Sequence, residues 1–423
     1  MAGRGTGTRA WRAAGVGLVA LGLLASGCGS GDGGSGGKTE IRYSWWGAQH
    51  RADLIKKTIA LFEKKHPDIK VKADFQEYED FWKKFNTQAA GGNPPDVFQN
   101  SHAFLRKYDK KNVLLDLKPQ VEQGNLKTDD FRNGLEKAGE VDGKLLGIPV
   151  GANTFGLFYN TEEYKKAGVT PKDGWTWKDY YAGIEKISKG SGKLAGDSGN
   201  ASVMYLYDLV LRQQDKAFFT EDGLGFSKAD LKKWWADNLR RTKAGHFTSP
   251  KKVQQARPKP ALSGKLSAGE FSWDNFLVRY TSETDASIDL APIPTTDGKR
   301  TGQYLSSLML SGSARTKHRA EVAKFIDFMV HDPEVGKIMG YDRGVLATEP
   351  QFEAYRPKGV DKEIADYEER VKDRIEPITP HPAGADIVEA AFLRIGDEVL
   401  IGSTSVDDGV DKFFSEAETA LGS

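Results

Sequence analysis

Between Ile41 and Ser101 the chain alternates short runs of period 2 with longer runs of period 3.6. Ile41, Tyr43 and Trp45 alternate with polar neighbours, which predicts a strand with one buried face that stops at Gly47. From Ala52 to His66, Leu54, Ile55, Thr58, Ile59 and Phe62 share one helical face, with Lys56, Lys57, Glu63 and Lys64 opposite. Pro67 ends that helix, because the residue before a proline is pushed out of helical conformation. Ile69, Val71, Ala73 and Phe75 predict a second strand, and Phe81, Trp82, Phe85 and Ala89 a second amphipathic helix. Asn93-Pro94-Pro95 then turns the chain into a third short strand, Asp96 to Gln99. Strand, helix, strand, helix, strand is the order of a parallel α/β sheet.

Such a sheet binds ligands beyond the carboxyl ends of its strands. The chain places Trp45-Trp46-Gly47-Ala48-Gln49-His50-Arg51 after the first strand, Gln76-Glu77-Tyr78 after the second and Gln99-Asn100-Ser101-His102 after the third. Aromatic rings with amides and a guanidinium, and no nucleophile beside a base, suit a sugar. Its apolar face stacks on a ring and its hydroxyls take planar polar partners.

Three further pieces fall in order along this stretch: the Trp-Gly turn with Arg51; Phe62-Glu63 followed by His66-Pro67-Asp68-Ile69-Lys70-Val71; and Ala90-Gly91-Gly92-Asn93-Pro94-Pro95-Asp96-Val97. Together they resemble the amino-terminal lobe of family 1 extracellular solute-binding proteins, the capture subunits of ABC-type sugar importers. The resemblance implies a two-lobed α/β periplasmic-binding-protein fold, with a hinge and a central cleft. Gly147-Ile148-Pro149 is similar to the family's exit from the first lobe, and Asn153 at the crossing is then expected to face the cleft. Tyr159-Asn160 and Ala167-Gly168 match the segment that follows, where structural roles are the simpler account of Tyr159 and Asn160. In Trp175-Thr176-Trp177, Thr176 is expected to cap a helix and Trp177 to pack beneath it, leaving Trp175 the more exposed and a candidate sugar platform.

Leu266 to Tyr280 aligns with the segment that brings an aromatic or acid to the cleft, which nominates Trp273 and Asp274. Asp289 to Pro294 is similar to the family's return strand. Tyr341 to Leu346 resembles its late Gly-x-x-Pro loop, with Ala347 in place of the proline or the proline displaced to Pro350; this places Arg343 in the site. The expected boundaries are 41–150 plus about 295–345 for the first lobe, and 151–294 plus about 346–423 for the second. Two terminal amphipathic helices, with Ile387, Ala391, Phe392, Ile395 and Val399 inward on the first, are expected to brace the second lobe.

The start of the chain carries a different signal. Arg4, Arg9 and Arg12 precede an apolar run, Ala13 to Leu24, that is too short to span a bilayer, and Ala25-Ser26-Gly27 offers small residues for cleavage. Cys28, the only cysteine among 423 residues, follows directly and resembles the acceptor of a bacterial lipoprotein signal, with Ala25 where that pattern prefers leucine. Residues 1–27 are therefore expected to be removed and Cys28 lipidated, which would anchor the protein at the extracellular face of the cytoplasmic membrane. Residues 28–40, rich in Gly and Ser, read as a tether. Its Gly29-x-Gly31-x-x-Gly34 is a formal dinucleotide fingerprint that lacks the strand and helix the mechanism needs.

Charge changes little. Removal of the three arginines leaves 57 basic against 59 acidic residues, so nothing argues for a nucleic-acid partner and an uncharged ligand fits. No Gly-x-Ser-x-Gly turn occurs outside the glycine-serine tether, and no two of the seven histidines stand three to five apart, so neither an esterase-type nucleophile nor a helical zinc pair is expected. The reading is a monomeric, non-enzymatic sugar-binding subunit, without cofactor or metal, that partners ABC permease subunits. Its ligand residues are expected among Trp45, Trp46, Arg51, Tyr78, Asn100, Asn153, Trp175, Trp273, Asp274 and Arg343. Of the adjacent indoles, strand alternation puts Trp45 with Tyr43 and leaves Trp46 the better placed for the cleft. A polysaccharide hydrolase or lyase, or a receptor for a polyamine or phosphate ester, is the alternative.

Overall fold

A computed structural model describes residues 37–423 except Ala48, Glu221, Asp222, Arg257, Pro258, Gln303, Thr379 and Ser423. The signal segment, Cys28 and most of the glycine-serine tether lie outside the described residues. In chain order the strands that carry the architecture are β1 (Thr39–Trp46), β2 (Ile69–Gln76), β3 (Val97–Ser101), β4 (Ile148–Asn153), β5 (Phe155–Asn160), β6 (Gly269–Trp273), β7 (Ile288–Ala291), β8 (Tyr304–Gly312), β9 (Val345–Leu346) and β10 (Glu376–Pro377). The helices used below are α1 (Gln49–Lys65), α2 (Tyr78–Ala90), α3 (Leu105–Lys110), α4 (Trp177–Ser191), α5 (Met204–Arg212), α6 (Lys228–Lys243), α7 (Leu277–Glu283), α8 (Arg319–His331), α9 (Pro333–Met339), α10 (Glu349–Ala354), α11 (Val360–Val371), α12 (Ala385–Ile401) and α13 (Val406–Leu421).

Among the described residues the large sheet runs β9-β4-β8-β3-β1-β2, with β10 beside β8. β1 pairs in parallel with both β2 and β3, as the strand-helix-strand order predicts. β8 lies antiparallel between β3 and β4, an insertion that the sequence pattern did not specify. The second lobe is built on a smaller antiparallel sheet, β6-β5-β7, with most of its mass in helices. The chain passes from one sheet to the other at Thr154, between β4 and β5, and returns between β7 and β8.

Each lobe has its own core. Ile41, Tyr43, Trp45, Val71 and Leu310 pack with α1 and α8 on one face of the large sheet, while Trp46, Phe81, Phe85, Phe98 and Met309 fill the other. In the second lobe Tyr207, Trp235, Phe392 and Phe413 knit α5, α6, α12 and α13 together. Burying aromatics of this size stabilises by roughly 1.5–3 kcal/mol each. The inward face of α12 differs from expectation at one position: Ile387 is 54% exposed and Val388 takes its place. The α10 helix also packs on α8 and α9, so the chain returns to the second lobe only at α11, later than residue 346.

Local signals hold the elements where the pattern placed them. Thr176 accepts from the backbone of Asp179 while Asp179 accepts from Thr176, a capping box at the start of α4. Asn160 accepts from the backbone N–H groups of Glu162 and Glu163, which accounts for it structurally. Asp142 (φ 49°) and Gly143 (φ 80°) make the two-residue turn of the small hairpin before β4, a turn that requires positive φ at both positions.

Candidate functional site

The carboxyl ends of β1 and β3 and the start of α2 form one wall of a cleft whose other wall comes from α5, the end of β6, the loop at His381 and α12. Trp46 lies edge-on to Tyr78 at 5.5 Å and packs on Phe81 and Trp82, so it backs a platform whose outward ring is Tyr78, 50% exposed. Across the gap, Trp273 and Tyr205 pack at 5.1 Å, and Trp273 rests against Phe155 at 5.0 Å. The lobes meet where His102, just after β3, faces His381 at 4.7 Å and Tyr205 at 6.4 Å. An ion pair of 2.5 Å between Lys107 on α3 and Asp386 on α12 spans the same gap. Beside these contacts lies a cavity of about 590 Å³, lined by Arg106, Lys110 and Asp142 from the first lobe and by Tyr205, Arg212, Phe219 and His381 from the second.

Burial sets the charge state of this cleft. It lowers the His102 imidazole to about 4, and burial with the neighbouring His102 and Arg212 holds His381 well below its ordinary value. Both rings are therefore neutral at pH 7, each with one donor and one acceptor. Glu389 on α12 is raised to about 7, chiefly by burial, and lies 3.5 Å from the Tyr205 hydroxyl. The Tyr78 hydroxyl is also raised, by burial first and the Glu389 charge second. Aromatic faces and the two neutral imidazoles thus sit where the walls meet, beside the charged side chains that line the cavity. Among the described residues no three His, Cys, Asp or Glu side chains are grouped to hold a metal.

Of the residues nominated from the sequence, Trp46, Tyr78 and Trp273 come together at this cleft; several others do not. Trp45 is fully buried between Tyr43 (4.9 Å) and Phe75 (5.8 Å), on the core side of β1, because alternation assigns it to the opposite face from Trp46. Trp175 reverses the expected order with Trp177: it is only 2% exposed and donates to the Pro292 carbonyl at 2.9 Å, whereas Trp177 is the half-buried one. Asn100 is buried with its amide on Ser311 (3.1 Å) and its carbonyl on the Ser101 N–H, so it ties β3 to β8. Asp274 is buried at the crossing, accepting from Thr154 N–H at 2.9 Å and Asn275 N–H at 2.7 Å.

Arg51 is a clamp. Its Nε donates to Asp342 Oδ2 at 2.6 Å and its Nη2 to the Asp342 carbonyl at 2.7 Å. The late loop is consequently fixed against α1, and Arg343 is carried into the core beside Tyr43 and away from solvent. Asn153 is buried under the same loop, its amide 3.5 Å from the Arg343 carbonyl. Gly344 (φ 102°) makes this approach possible, since a Cβ there would stand 2.5 Å from the Ala152 carbonyl oxygen. Conversely, Tyr205, Glu389 and His381 were not nominated. Tyr205 reads as one more apolar position on an amphipathic helix. For His381 the signal available was its place in a loop, Pro380-His381-Pro382, where binding residues are over-represented.

Residues 47–334, more than half of the chain, match the profile of the bacterial extracellular solute-binding protein family. The chain belongs to that family. It is 29% identical over 213 residues to the arabinooligosaccharide-binding protein of Bacillus subtilis, covering 49% of this chain and 48% of that one. It is 26% identical over 305 residues to the diacetylchitobiose binding protein DasA of Streptomyces coelicolor, covering 68% and 67%. The chain spans about half the length, or less, of the first curated relatives it matches. Among solved structures, it overlays a Listeria monocytogenes ABC substrate-binding protein in complex with cycloalternan with a TM-score of 0.79 at 22% identity, covering 91% of this chain and 99% of that one. A Yersinia enterocolitica oligogalacturonide binding protein gives the same TM-score, identity and coverage. These overlays fix the fold as the two-lobed α/β architecture.

Proposed function

We propose that this chain is the capture subunit of an ABC sugar importer, which takes a short oligosaccharide between its lobes and hands it unaltered to the permease. The observation that carries the reading is the pairing of aromatic faces on opposite walls, Tyr78 over Trp46 on one lobe and Trp273 with Tyr205 on the other, around neutral His102 and His381. Sugar rings stack on such faces, and imidazoles in their neutral form both donate to and accept from hydroxyls. Relatives named for arabinooligosaccharide, diacetylchitobiose and maltodextrin binding support the same ligand class. A ligand touching both walls would favour the closed state, because only a differential contact shifts a two-state equilibrium. In this reading Tyr78, Trp46 and Trp273 are the contacts the sequence nominated, Tyr205, His102 and His381 the added ones, and Cys28 the lipid anchor of a monomer outside the cell.

One observation favours a hydrolase instead: Glu389, raised to about 7, sits in the cleft three residues from Asp386. Asp386, however, is occupied by Lys107 and Glu389 by Tyr205. Incubating the protein with arabinotriose, maltotriose, chitobiose and digalacturonate separates the readings. Capture predicts a raised melting temperature and unchanged sugar by mass spectrometry; shorter products would establish the hydrolase.

A further inference from the structure

The cavity of about 590 Å³ beside the lobe contacts is walled by both lobes and has the size of a small-ligand site. α3 puts Arg106 and Lys110 four residues apart on one face, and both line the cavity from the first lobe together with Asp142 of the small hairpin. α5 puts Asp208 and Arg212 in the same relation on the second-lobe wall. Among the described lining residues, three cations therefore face two carboxylates.

Both carboxylates are already engaged. Asp142 accepts from Arg106 Nη1 with its two oxygens, at 3.0 and 3.1 Å. Asp208 accepts from Arg212 Nε at 2.8 Å and from the Phe218 N–H at 2.7 Å. The exposed Lys110 ammonium has no hydrogen-bond or ion-pair partner among the described residues, and Arg106 has its Nε and Nη2 uncommitted. His381 adds a neutral group at the same place. Its ring packs against Phe219 at 4.9 Å and Tyr205 at 6.3 Å, is 7% exposed, and carries an Nδ1 without a hydrogen-bond partner. A buried polar atom in that state is costly unless a ligand meets it. The Tyr205 ring lines the cavity and also packs on Trp273 at 5.1 Å, which joins the cavity to the aromatic wall of the sugar site.

We infer that this cavity is an acidic-sugar subsite: it takes the carboxylate of a uronic acid residue in the captured oligosaccharide, with Lys110 and Arg106 as cationic partners and His381 as a neutral donor. The inference rests on the capture reading and adds the charge of the ligand. A carboxylate brings one negative charge, which matches the one uncompensated cation, and its planar fork suits the free edge of the Arg106 guanidinium. A phosphate monoester, at about −1.5 to −2, would set excess negative charge beside Asp142 and Asp208. Lying between α3 and α5, the carboxylate touches both lobes and so favours the closed state more than a neutral sugar does. The near-neutral balance of the whole chain conceals this local excess.

Calorimetry on the full chain with digalacturonate and its neutral counterpart galactobiose tests it. Digalacturonate should bind about tenfold tighter at low salt, and the difference should shrink at about 0.5 M NaCl, where exposed charges are screened. Lys110→Gln should remove most of that preference. Galactobiose bound as tightly as digalacturonate, or a preference unchanged in Lys110→Gln, overturns the inference. So does a larger rise in melting temperature with galactose 6-phosphate than with galacturonate. Neutral members of the sugar panel that bind while digalacturonate does not would overturn the subsite and leave the capture reading standing; failure of every sugar, acidic or neutral, to bind overturns both.

Discussion

Replacing Arg51 by lysine isolates the clamp that holds the late loop. The guanidinium makes two charge-assisted bonds to Asp342, at 2.6 and 2.7 Å, and both side chains are less than one-fifth exposed. A lysine ammonium keeps the charge but cannot reach carboxylate and carbonyl in the same forked geometry. Losing one such bond while retaining the other should destabilise by about 1.5–3 kcal/mol. In a protein of this size roughly 2 °C per kcal/mol is expected, so the melting temperature should fall by about 3–6 °C. Differential scanning fluorimetry reads this directly, and repeating it with the oligosaccharide panel asks a second question. The sugar-induced shift should survive in Arg51→Lys, because the side chain lies behind the cleft wall. A variant with unchanged melting temperature that no longer responds to sugar would refute the clamp and restore Arg51 as a ligand contact.

Tyr78→Ala and Trp273→Ala should each weaken oligosaccharide binding about tenfold or more by calorimetry, since an aromatic contact contributes about 0.5–1.5 kcal/mol beyond its buried area. Half-exposed Tyr78 should be lost with little change in melting temperature. Trp175→Phe should destabilise by roughly 1–3 kcal/mol in denaturant titration through loss of the Pro292 bond and some volume, and leave sugar affinity unchanged. Lys107→Ala should shift stability by less than about 1 kcal/mol but raise the radius of gyration in scattering, because the pair it makes is a partly exposed bridge between lobes. Overall stability should decline from pH 5 to pH 8: burial raises Asp197 to about 6 and Glu270 to about 7, so both favour the folded state while protonated and lose that advantage as pH passes those values.

The parallel core of the first lobe was legible because burial follows the period of each element. Tyr43 and Trp45 face α1 and α8, and Trp46 faces α2, as alternation along one strand requires. The Thr176 cap was legible for a similar reason: it acts on a backbone group three residues away. What failed depends on which neighbour arrives from far along the chain. Trp175 is buried by Pro292, Asn100 is claimed by Ser311, and Arg51 is claimed by Asp342, partners more than a hundred residues distant. The second-lobe wall is contributed by α5, β6 and α12, whose residues look like ordinary helix or loop positions until the chain brings them together. Family resemblance located the segment of Trp273 but could not say that Asp274, next to it, turns inward to hold Thr154.

The decisive measurement is a crystal structure of the full chain soaked or grown with the oligosaccharide that most raises its melting temperature. An intact sugar should lie between the lobes, stacked on Tyr78 from one side and Trp273 from the other, with His102 or His381 on its hydroxyls. Sugar bound outside that gap, or present only as cleaved fragments, would contradict it.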